Sequence, residues 1–344
     1  MTLKFCAGIG AVPDVKLIAD LARTLEENGF SYLTLLDSPG MTIDVHLMMA
    51  IAAQNTSKIK IGQGVVDPMT YHPLTIANIA ASMDQIAKDR VFIGIGSGNP
   101  MSKGRPAAKL KDMREAISFI RNYMSGQEVE YNGVKMQSDW IKKTAPIFMS
   151  AHGPKSLQLA GEIADGVIFL CLHPVYVKWQ LELIARGAER AGRDPNTIDN
   201  WARCMIYPTD NKADAFRETS AYPSSYAGLW RILVRDIPEV EDLRARMEKS
   251  DPGLVDELIK DTKTYSENLQ TRFAERIDAP HSKMVTQRMI DFFHFSGREE
   301  AIIEQMEELA DIGVKTISMT TYTLINKIDM VKEVGSKVVK HFHN

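Results

Sequence analysis

Residues 58–95 read KIKIGQGVVDPMTYHPLTIANIAASMDQIAKDRVFIGI and contain a complete strand–helix–strand unit. The isoleucine-rich run at 58–62 and the apolar run at 91–95 predict two strands. Between them, residues 74–87 place apolar side chains at helical spacing. Because a helix joins the two strands, we expect them to lie parallel in one sheet.

The same alternation of strand and helix continues toward both ends of the chain. Strands are predicted at 3–8, 31–36, 146–149, 166–170, 198–206 and 315–319, and helices at 14–28, 45–54, 109–124, 175–191 and from 154 onward. Strands that alternate with helices indicate a parallel α/β sheet. Eight strands in series favour a closed (β/α)8 TIM barrel over an open doubly wound sheet.

Two segments exceed what a minimal barrel needs. Residues 127–140 predict a β-hairpin with Asn132-Gly133 as its turn. Residues from about 220 to 285 are expected to form an insertion after the seventh strand, as a lid or pocket wall within a single domain spanning 1–344. The aromatic residues Tyr222, Tyr226 and Trp230 either cover the pocket or pack the insertion onto the barrel.

The composition is that of an ordinary globular protein of enzyme size. The 344 residues are 44% hydrophobic and carry a net charge of −3, which gives no electrostatic reason to expect nucleic acid or a membrane as partner. The dispersed cysteines form neither a disulfide framework nor a zinc-ligand spacing, and no metal site is expected. With no signal-peptide core and no apolar run of about 18 residues, we expect a cytoplasmic protein that binds a small molecule.

The active site of such a barrel forms from the residues that follow its strands. After the third strand, Gly62 and Gly64 allow either close approach of the backbone to a ligand or only a tight turn. After the fourth strand, the glycines around Ser97 and Gly98 would let a flat ring lie on the strand ends. Asp37, after the second strand, is either a polar contact at the barrel mouth or a turn residue.

Residues 150–156, Ser-Ala-His-Gly-Pro-Lys-Ser, predict an anion-binding helix terminus. Pro154 suits the first position of a helix, where an N–H group has no intrahelical partner. The free N–H groups of Lys155 and Ser156, the Lys155 charge and the Ser156 hydroxyl would then converge on a phosphate. The alternative is an ordinary helix start with Lys155 in solvent.

His72 and His152 lie in two of these loops and are the candidate catalytic residues. Imidazole titrates near neutral pH and can act as an acid, a base or a hydrogen-bond partner. A single histidine in a loop is also commonly structural. The chain contains no serine nucleophile elbow, no Walker loop and no HExxH zinc motif.

Three stretches of the chain resemble the luciferase-like flavin-dependent oxidoreductases. Residues 61–99 contain IGQGVVDPMTYHP and, after a helix, the strand end IGIGSGN. Residues 147–166, with AHGPKSLQLAGEIADG, and residues 295–316, with IEQMEELADIGVK, continue the match. The chain is most similar to the subgroup that contains methylenetetrahydromethanopterin reductase.

The resemblance implies a barrel that holds an isoalloxazine or deazaflavin ring at the carboxyl ends of its strands. It also implies a cis peptide bond at Gly64–Val65 behind the ring, and a cofactor phosphate at the loop that ends in Lys155. The residues expected to bind the cofactor are Asp37, Ser38, Gly62, Gly64, Val65, Asp67, Ser97, Gly98, Asn99, Ser150, Ala151, His152, Gly153, Pro154 and Lys155.

The chain departs from the family pattern at several positions. Ser38 stands where many deazaflavin-dependent members have histidine, and Tyr71 stands where arginine is usual. The reductase subgroup carries a glutamate at the end of the first strand. Here Gly8 occupies that region, and no carboxylate follows until Asp14. The group expected to handle the proton in a methanopterin reductase is therefore missing.

These observations favour an FMN-dependent monooxygenase that receives reduced flavin from a separate flavin reductase and oxygenates a small organic substrate. The alternative is a coenzyme F420-dependent reductase or dehydrogenase that transfers hydride without oxygen. A third possibility is a flavin-binding protein without catalytic activity. The resemblance also implies a homodimer or a larger homo-oligomer.

Overall fold

The computed structural model describes residues 3–10, 14–98, 104, 106–170, 172–220, 223–269, 280–321 and 326–343. Eight parallel strands close into a barrel, which confirms the predicted (β/α)8 fold. Each barrel strand pairs with the next one along the chain, and the last pairs with the first. The barrel strands are β1 Lys4–Ile9, β2 Tyr32–Leu35, β3 Lys60–Gln63, β4 Val91–Ile95, β5 Ile147–Ser150, β6 Gly166–Leu170, β7 Asp199–Cys204 and β8 Thr316–Thr320.

Helices surround the barrel, and one follows each of the first six strands in turn. These are α1 Val15–Glu27, α2 Val45–Gln54, α3 Pro73–Ile86, α4 Leu110–Met124, α5 Pro154–Ile163 and α6 Pro174–Arg190. Between β7 and β8 lie α7 Lys212–Thr219, α8 Pro223–Leu233, α9 Pro238–Ser250, α10 Leu254–Glu267, α11 Gln287–Phe293 and α12 Glu299–Asp311. After β8 come α13 Lys327–Val334 and α14 Lys340–His343. No helix within the described ranges is long and apolar enough to cross a bilayer.

Large aromatic side chains fill the barrel near the amino ends of its strands. The rings of Phe148 and Trp201 have centroids 4.5 Å apart, and those of Tyr32 and Trp201 are 4.7 Å apart. Phe92 completes this buried cluster. The Tyr32 hydroxyl donates a hydrogen bond of 3.3 Å to Asp199, the first residue of β7. Because this end is filled, the carboxyl ends of the strands are left for the site.

The seventh strand is shorter than the sequence pattern predicts. The pattern covers 198–206, but β7 ends at Cys204, and a separate strand, Ile206–Pro208, pairs with Phe295–Gly297 outside the barrel. Between the two strands, the backbone N–H of Met205 donates to Nδ1 of His294, 3.2 Å away. The hydrogen bonding between barrel strands therefore ends at Met205, because its N–H is bound by His294 from a distant part of the chain.

The predicted hairpin is confirmed. Val129–Tyr131 pairs antiparallel with Val134–Met136. The turn residues Asn132 and Gly133 have φ of 51° and 79°. Positive φ at both positions is what a type I′ two-residue turn requires, and an Asn-Gly pair adopts it readily.

The closing helix is predicted at 324–341, of which 324 and 325 lie outside the described residues. From α13 the chain passes through a π-helical turn, Gly335–Val339, into α14. A side chain at Gly335 would overlap with the side chain of Asn28, which follows α1. The glycine thus lets the last helix approach α1 closely.

The predicted insertion lies between β7 and β8, as expected, and its described part is helical. Tyr226 is fully buried, and its hydroxyl lies 3.0 Å from Nε2 of His294 and donates to the carbonyl of Thr219 at 3.2 Å. Tyr226 therefore packs the insertion onto the barrel and does not cover the pocket. Tyr222 lies outside the described residues. A role of the insertion as lid or pocket wall stays a prediction.

Two glycines allow α5 and α6 to pack in backbone contact. A Cβ atom at Gly161 would overlap with the carbonyl oxygen of Ile184, and one at Gly187 would overlap with the carbonyl oxygen of Gln158. Neither backbone atom can move away as the end of a flexible side chain could. This contact fixes the position of α5, whose amino terminus lies at the barrel mouth.

We expect Gly161→Ala and Gly187→Ala each to lower the free energy of unfolding by about 1–3 kcal/mol, because the added methyl group must push the two helices apart. Urea unfolding followed by circular dichroism measures the change. Gly228→Ala in α8 is the matched control, since a Cβ atom there meets nothing within 4 Å. Unchanged stability in the first two variants would contradict the close backbone packing.

Candidate active site

The loop after β3 begins with a bulge that two neighbouring strands hold in place. The Gly64–Val65 peptide bond is cis, as the family resemblance implies. The N–H of Gly64 donates to Leu35 of β2 at 2.7 Å, and the N–H of Val66 donates to Gly94 of β4 at 3.0 Å. These bonds place the bulge at the carboxyl ends of β2, β3 and β4, where the ring is expected.

The glycines around the bulge are explained by close packing within the protein. A Cβ atom at Gly94 would overlap with the carbonyl oxygen of Gln63, and one at Gly96 would lie 2.7 Å from the Val65 side chain. A side chain at Gly62 would overlap with the ring of Phe92. Gly62 therefore has a packing role that the sequence pattern could not separate from ligand binding.

Asp67 and Gly98 form a second contact between the same two loops. The buried carboxylate of Asp67 accepts hydrogen bonds from the N–H groups of Met69 at 3.0 Å and Thr70 at 2.8 Å, and from the Thr70 hydroxyl at 2.9 Å. Gly98 has φ of +82°, and a Cβ atom there would lie 2.9 Å from this carboxyl group. Asp67 thus shapes the loop that leads into α3.

The carboxylate of Asp37 is buried at the end of β2 and accepts a hydrogen bond of 3.1 Å from the Tyr71 hydroxyl. Burial and the negative charge of Asp37 raise the pKa of Tyr71, so the phenol stays protonated as a donor. The ring of His46 packs edge-on against Tyr71, with centroids 5.1 Å apart. Beside Asp37, Ser38 is buried, and its carbonyl accepts from the N–H of Met41 at 3.0 Å in a turn.

A cation from the opposite side of the barrel reaches the bulge. Arg203, on β7, donates through Nη1 to the carbonyl of Gly64 at 3.3 Å. Burial raises the pKa of the Cys6 thiol to about 11, and the Arg203 charge opposes only part of this shift. Burial, followed by the same charge, lowers the pKa of His152. Sequence reasoning did not select Arg203, although a charged residue in the apolar β7 run WARC was a usable signal.

Ser150 and His152 link the bulge region to the insertion. A Cβ atom at Gly96 would lie 3.5 Å from the Cβ of Ser150, and the Ser150 hydroxyl lies 3.4 Å from Nε2 of His152. Burial, followed by the Arg203 charge, lowers the pKa of His152 to about 4. At neutral pH the imidazole is therefore neutral, which suits a hydrogen-bonding role better than that of a cationic acid.

The loop 150–156 leads into a helix terminus with the geometry that an anion needs. Gly153 precedes α5 and Pro154 is its first residue. The first turn contains no acidic residue, and its N–H groups have no acceptor within the helix. The Ser156 hydroxyl donates to the Gly153 carbonyl at 2.8 Å and accepts from the Gly153 N–H at 3.1 Å. It therefore supports the turn, whereas the sequence analysis expected it to point at a phosphate.

The insertion brings a second cation to this terminus. The guanidinium of Arg235 comes within 3.4 Å of the point that a Cβ atom of Gly153 would occupy. Together with the exposed Lys155 and the helix terminus, it makes a donor set that fits a phosphate group. Nothing in the local sequence pairs Arg235 with Gly153, because the two are brought together only by the packing of the insertion.

His72 occupies a helix-capping position. Its Nδ1 accepts a hydrogen bond of 3.1 Å from the N–H of Leu74 at the start of α3, and its ring packs against Tyr131 with centroids 4.7 Å apart. These contacts give the residue a structural role, and its catalytic role stays a prediction. Asn99 lies outside the described residues. The described part of the chain contains no cluster of acidic, histidine and cysteine side chains that could hold a metal ion.

His294 fixes the insertion to the end of β7. Because Nδ1 accepts from the N–H of Met205, the proton of the neutral ring is assigned to Nε2, which faces the Tyr226 hydroxyl. Burial lowers the pKa of His294 to about 3. The insertion is therefore anchored through a neutral histidine that cannot accept a proton without losing this arrangement.

A family model described as luciferase-like monooxygenase matches residues 4–316. The chain belongs to the luciferase-like monooxygenase family. It is an enzyme, an oxidoreductase of this family. The 5,10-methylenetetrahydromethanopterin reductase of Archaeoglobus fulgidus is 28% identical over 343 residues, which cover 96% of this chain and 98% of the relative.

Other members of the luciferase-like family match as well. The F420-dependent hydroxymycolic acid dehydrogenase of Mycobacterium tuberculosis is 32% identical over 215 residues, covering 56% of this chain and 59% of the relative. Among solved structures, the coenzyme F420-dependent tetrahydromethanopterin reductase from Methanopyrus kandleri superposes with a TM-score of 0.75. It covers 99% of this chain and 100% of that chain at 23% identity, which shows a shared fold.

The expectation of an FMN-dependent monooxygenase is wrong. The relatives that match along nearly the whole chain are methylenetetrahydromethanopterin reductases, and FMN as the main cofactor has no support among them. The motifs in residues 61–99 and 147–166 explain the error. They encode the bulge after β3 and the start of α5, and they carry no information on whether oxygen or an organic molecule takes the electrons.

We expect the free energy of unfolding to fall as the pH is lowered from 6.5 toward 3. His152 and His294 have pKa values of about 4 and 3 in the folded protein, below the usual 6.5, so the unfolded chain binds more protons in this window. Above about pH 7.5 the two histidines are neutral in both states, and their contribution levels off. Each histidine adds a slope of up to about 1.4 kcal/mol per pH unit.

Urea unfolding between pH 7 and pH 4 measures this dependence. His294→Asn keeps an acceptor for the N–H of Met205 and removes the titrating ring, so its stability curve should be flatter than that of the wild type by the contribution of one histidine. Parallel curves for the two proteins would contradict a buried neutral His294.

Proposed function

We propose that this protein is a coenzyme F420-dependent oxidoreductase that transfers hydride between the deazaflavin and a small organic molecule. The observation that carries the proposal is the similarity, over 96% of the chain, to methylenetetrahydromethanopterin reductase. A relative described as F420-dependent is 32% identical over 56% of the chain. When bound, the deazaflavin supplies the hydride chemistry, and the protein binds, orients and shields it.

The residues at the barrel mouth have separate tasks in this proposal. The terminus of α5, with Lys155 and Arg235, holds the cofactor phosphate. The bulge at Val65 supports the ring from the barrel side. Arg203 places a positive charge beside the bulge, which favours the negative charge that a reduced deazaflavin ring carries.

Asp37 and Tyr71 form a polar pair at the end of β2, within the same mouth. The Asp37 carboxylate can accept a hydrogen bond from a bound molecule, and the Tyr71 hydroxyl holds the carboxylate in one orientation. We propose Asp37 as a contact of the reacting molecules and Tyr71 as the residue that positions it.

We propose coenzyme F420 as the cofactor but no methanopterin as the substrate. The described residues 3–10, which include the whole of β1, contain no carboxylate at the strand end that faces the mouth. There, the Gly8 carbonyl accepts hydrogen bonds from the N–H of Thr321 at 3.0 Å and from its hydroxyl at 2.9 Å. Assembly as a homodimer or larger homo-oligomer stays a prediction.

An anaerobic binding titration of the purified protein tests the cofactor. We expect coenzyme F420 to bind at least tenfold more tightly than FMN, oxidised or reduced, as measured by quenching of cofactor fluorescence. Tenfold corresponds to about 1.4 kcal/mol, which is within reach of a few specific polar contacts. Tighter binding of FMN would overturn the proposal, and so would binding of neither molecule.

The phosphate site is tested with two ligands that share the same ring. Lys155→Ala combined with Arg235→Ala should weaken binding of coenzyme F420 roughly tenfold and leave binding of its phosphate-free ribityl deazaflavin unchanged, because only the phosphate loses partners. Lys178→Ala, an exposed lysine on α6, is the control for the loss of positive charge. If the double variant binds both ligands equally more weakly, Lys155 and Arg235 do not act through the phosphate.

A further inference from the structure

One face of β8 carries three hydroxyl side chains at alternate positions, Thr316, Ser318 and Thr320. Alternate residues of a strand share one face of the sheet. The Thr316 hydroxyl donates to Asp199 at 3.1 Å. The Ser318 side chain hydrogen-bonds the thiol of Cys6, which belongs to the cluster that fills the barrel. This face therefore points into the barrel, and Thr320 lies on it at the carboxyl end of the strand.

The hydroxyl of Thr320 has no hydrogen-bond partner among the residues that the structure describes, although the residue is buried. Buried polar groups are normally paired, as the hydroxyls of Thr316 and Ser318 are. An unpaired buried hydroxyl destabilises a fold, and valine has nearly the same shape without that cost. The next residue, Thr321, already supplies both hydrogen bonds to the carbonyl of Gly8. The packing of the protein therefore gives no reason for a hydroxyl at position 320.

The strands on either side of β8 do not supply a partner for this hydroxyl. On β1, the register pairs Thr320 with Gly8, which has no side chain. On β7, Arg203 lies opposite Ser318, two residues closer to the amino end of β8 than Thr320. The Arg203 side chain reaches across the barrel to the Gly64 carbonyl of the bulge. Thr320 therefore lies nearer the mouth than this cation, toward the side on which the ring is proposed to lie.

We propose that Thr320 is a hydrogen-bond partner of the polar edge of the cofactor ring, on the β1–β8 side of the mouth. The inference rests on the proposed function, because it assigns one more residue to the same deazaflavin. The cofactor phosphate is assigned to the start of α5, which follows β5, and β1 lies opposite β5 in the closed barrel. A molecule that crosses the mouth from the phosphate therefore ends beside β1 and β8. A hydroxyl donates and accepts hydrogen bonds, so it serves both the carbonyl and the N–H groups of such a ring.

The hydrogen bond from Thr320 fixes the direction of the ring within its own plane. Contact with Val65 of the bulge is apolar and has no preferred direction, and the terminus of α5 holds only the phosphate end. A hydrogen bond is directional, so one at the far edge stops the ring from turning on the bulge. Because Thr320 is buried, this bond is stronger than one exposed to solvent. Thr320 is thus a positioning residue for the ring.

The test compares Thr320→Val with Thr316→Val in the full-length protein. Both variants make the same change on the same face of the same strand, four residues apart, and valine keeps the shape of threonine without its hydroxyl. Without cofactor, Thr320→Val should unfold at the same temperature as the wild type or a higher one, because it removes an unpaired hydroxyl. Thr316→Val should unfold at a lower temperature, because Asp199 loses a donor. Thermal unfolding followed by circular dichroism measures both.

Ligand binding should show the opposite order. In anaerobic fluorescence titrations, Thr320→Val should bind coenzyme F420 and its phosphate-free ribityl deazaflavin more weakly by the same factor, roughly tenfold, because the ring that both ligands share loses a partner. The Lys155 and Arg235 double variant differs, since it should affect only the ligand with a phosphate. Thr316→Val should bind both ligands as the wild type does. Thr320→Ser, which keeps the hydroxyl, should bind them within about twofold of the wild type.

Two results would overturn the inference and leave the proposed function intact. One is unchanged binding of the phosphate-free deazaflavin to Thr320→Val, and the other is a loss of stability in this variant as large as that in Thr316→Val. Failure of the proposed function has a different signature, because the wild type itself would then prefer FMN or bind neither cofactor. If the wild type prefers FMN, riboflavin and FMN replace the two deazaflavins, and the same variants still test Thr320. If it binds neither, both proposals fail.

Discussion

The candidate site depends on a close backbone contact between the ends of β3 and β4. Gly94 and Gly96 carry no side chains, so the bulge after β3 can turn in against β4, with hydrogen bonds from Val66 to Gly94 and from Gly96 to Val66. With this contact in place, the Gly64 carbonyl meets Arg203, and Ser150 lies beside the bulge. Any side chain on the two glycines would displace the surface on which the ring is proposed to lie.

A second constraint joins the insertion to the barrel. His294 bridges the backbone of Met205, just after β7, and the hydroxyl of Tyr226 in α8. That anchor brings α8 over the loop after β5, so that Arg235 approaches Gly153. The proposed phosphate site is thus assembled from the barrel and the insertion.

Most of the fold could be predicted because the signals were local. The alternation of short apolar runs with helical spacing, the Asn132-Gly133 turn and the proline at the start of α5 depend on residues close together in the chain. The end of β7 could not be predicted, because it is set by His294, about ninety residues away. His72 has the sequence context of a catalytic loop residue, and only the structure shows that it caps α3.

By itself, the sequence determined the barrel and the order of its strands, through periodicity, and the family, through contiguous motifs. The cis bond at Gly64–Val65 was implied by the family resemblance. The tertiary structure alone decided which side chains meet at the mouth: Tyr71 with Asp37, Arg203 with Gly64, and Arg235 with Gly153. The physical reason is that closing a barrel brings strand ends together that are far apart in the chain, and no local pattern records which of their side chains will touch.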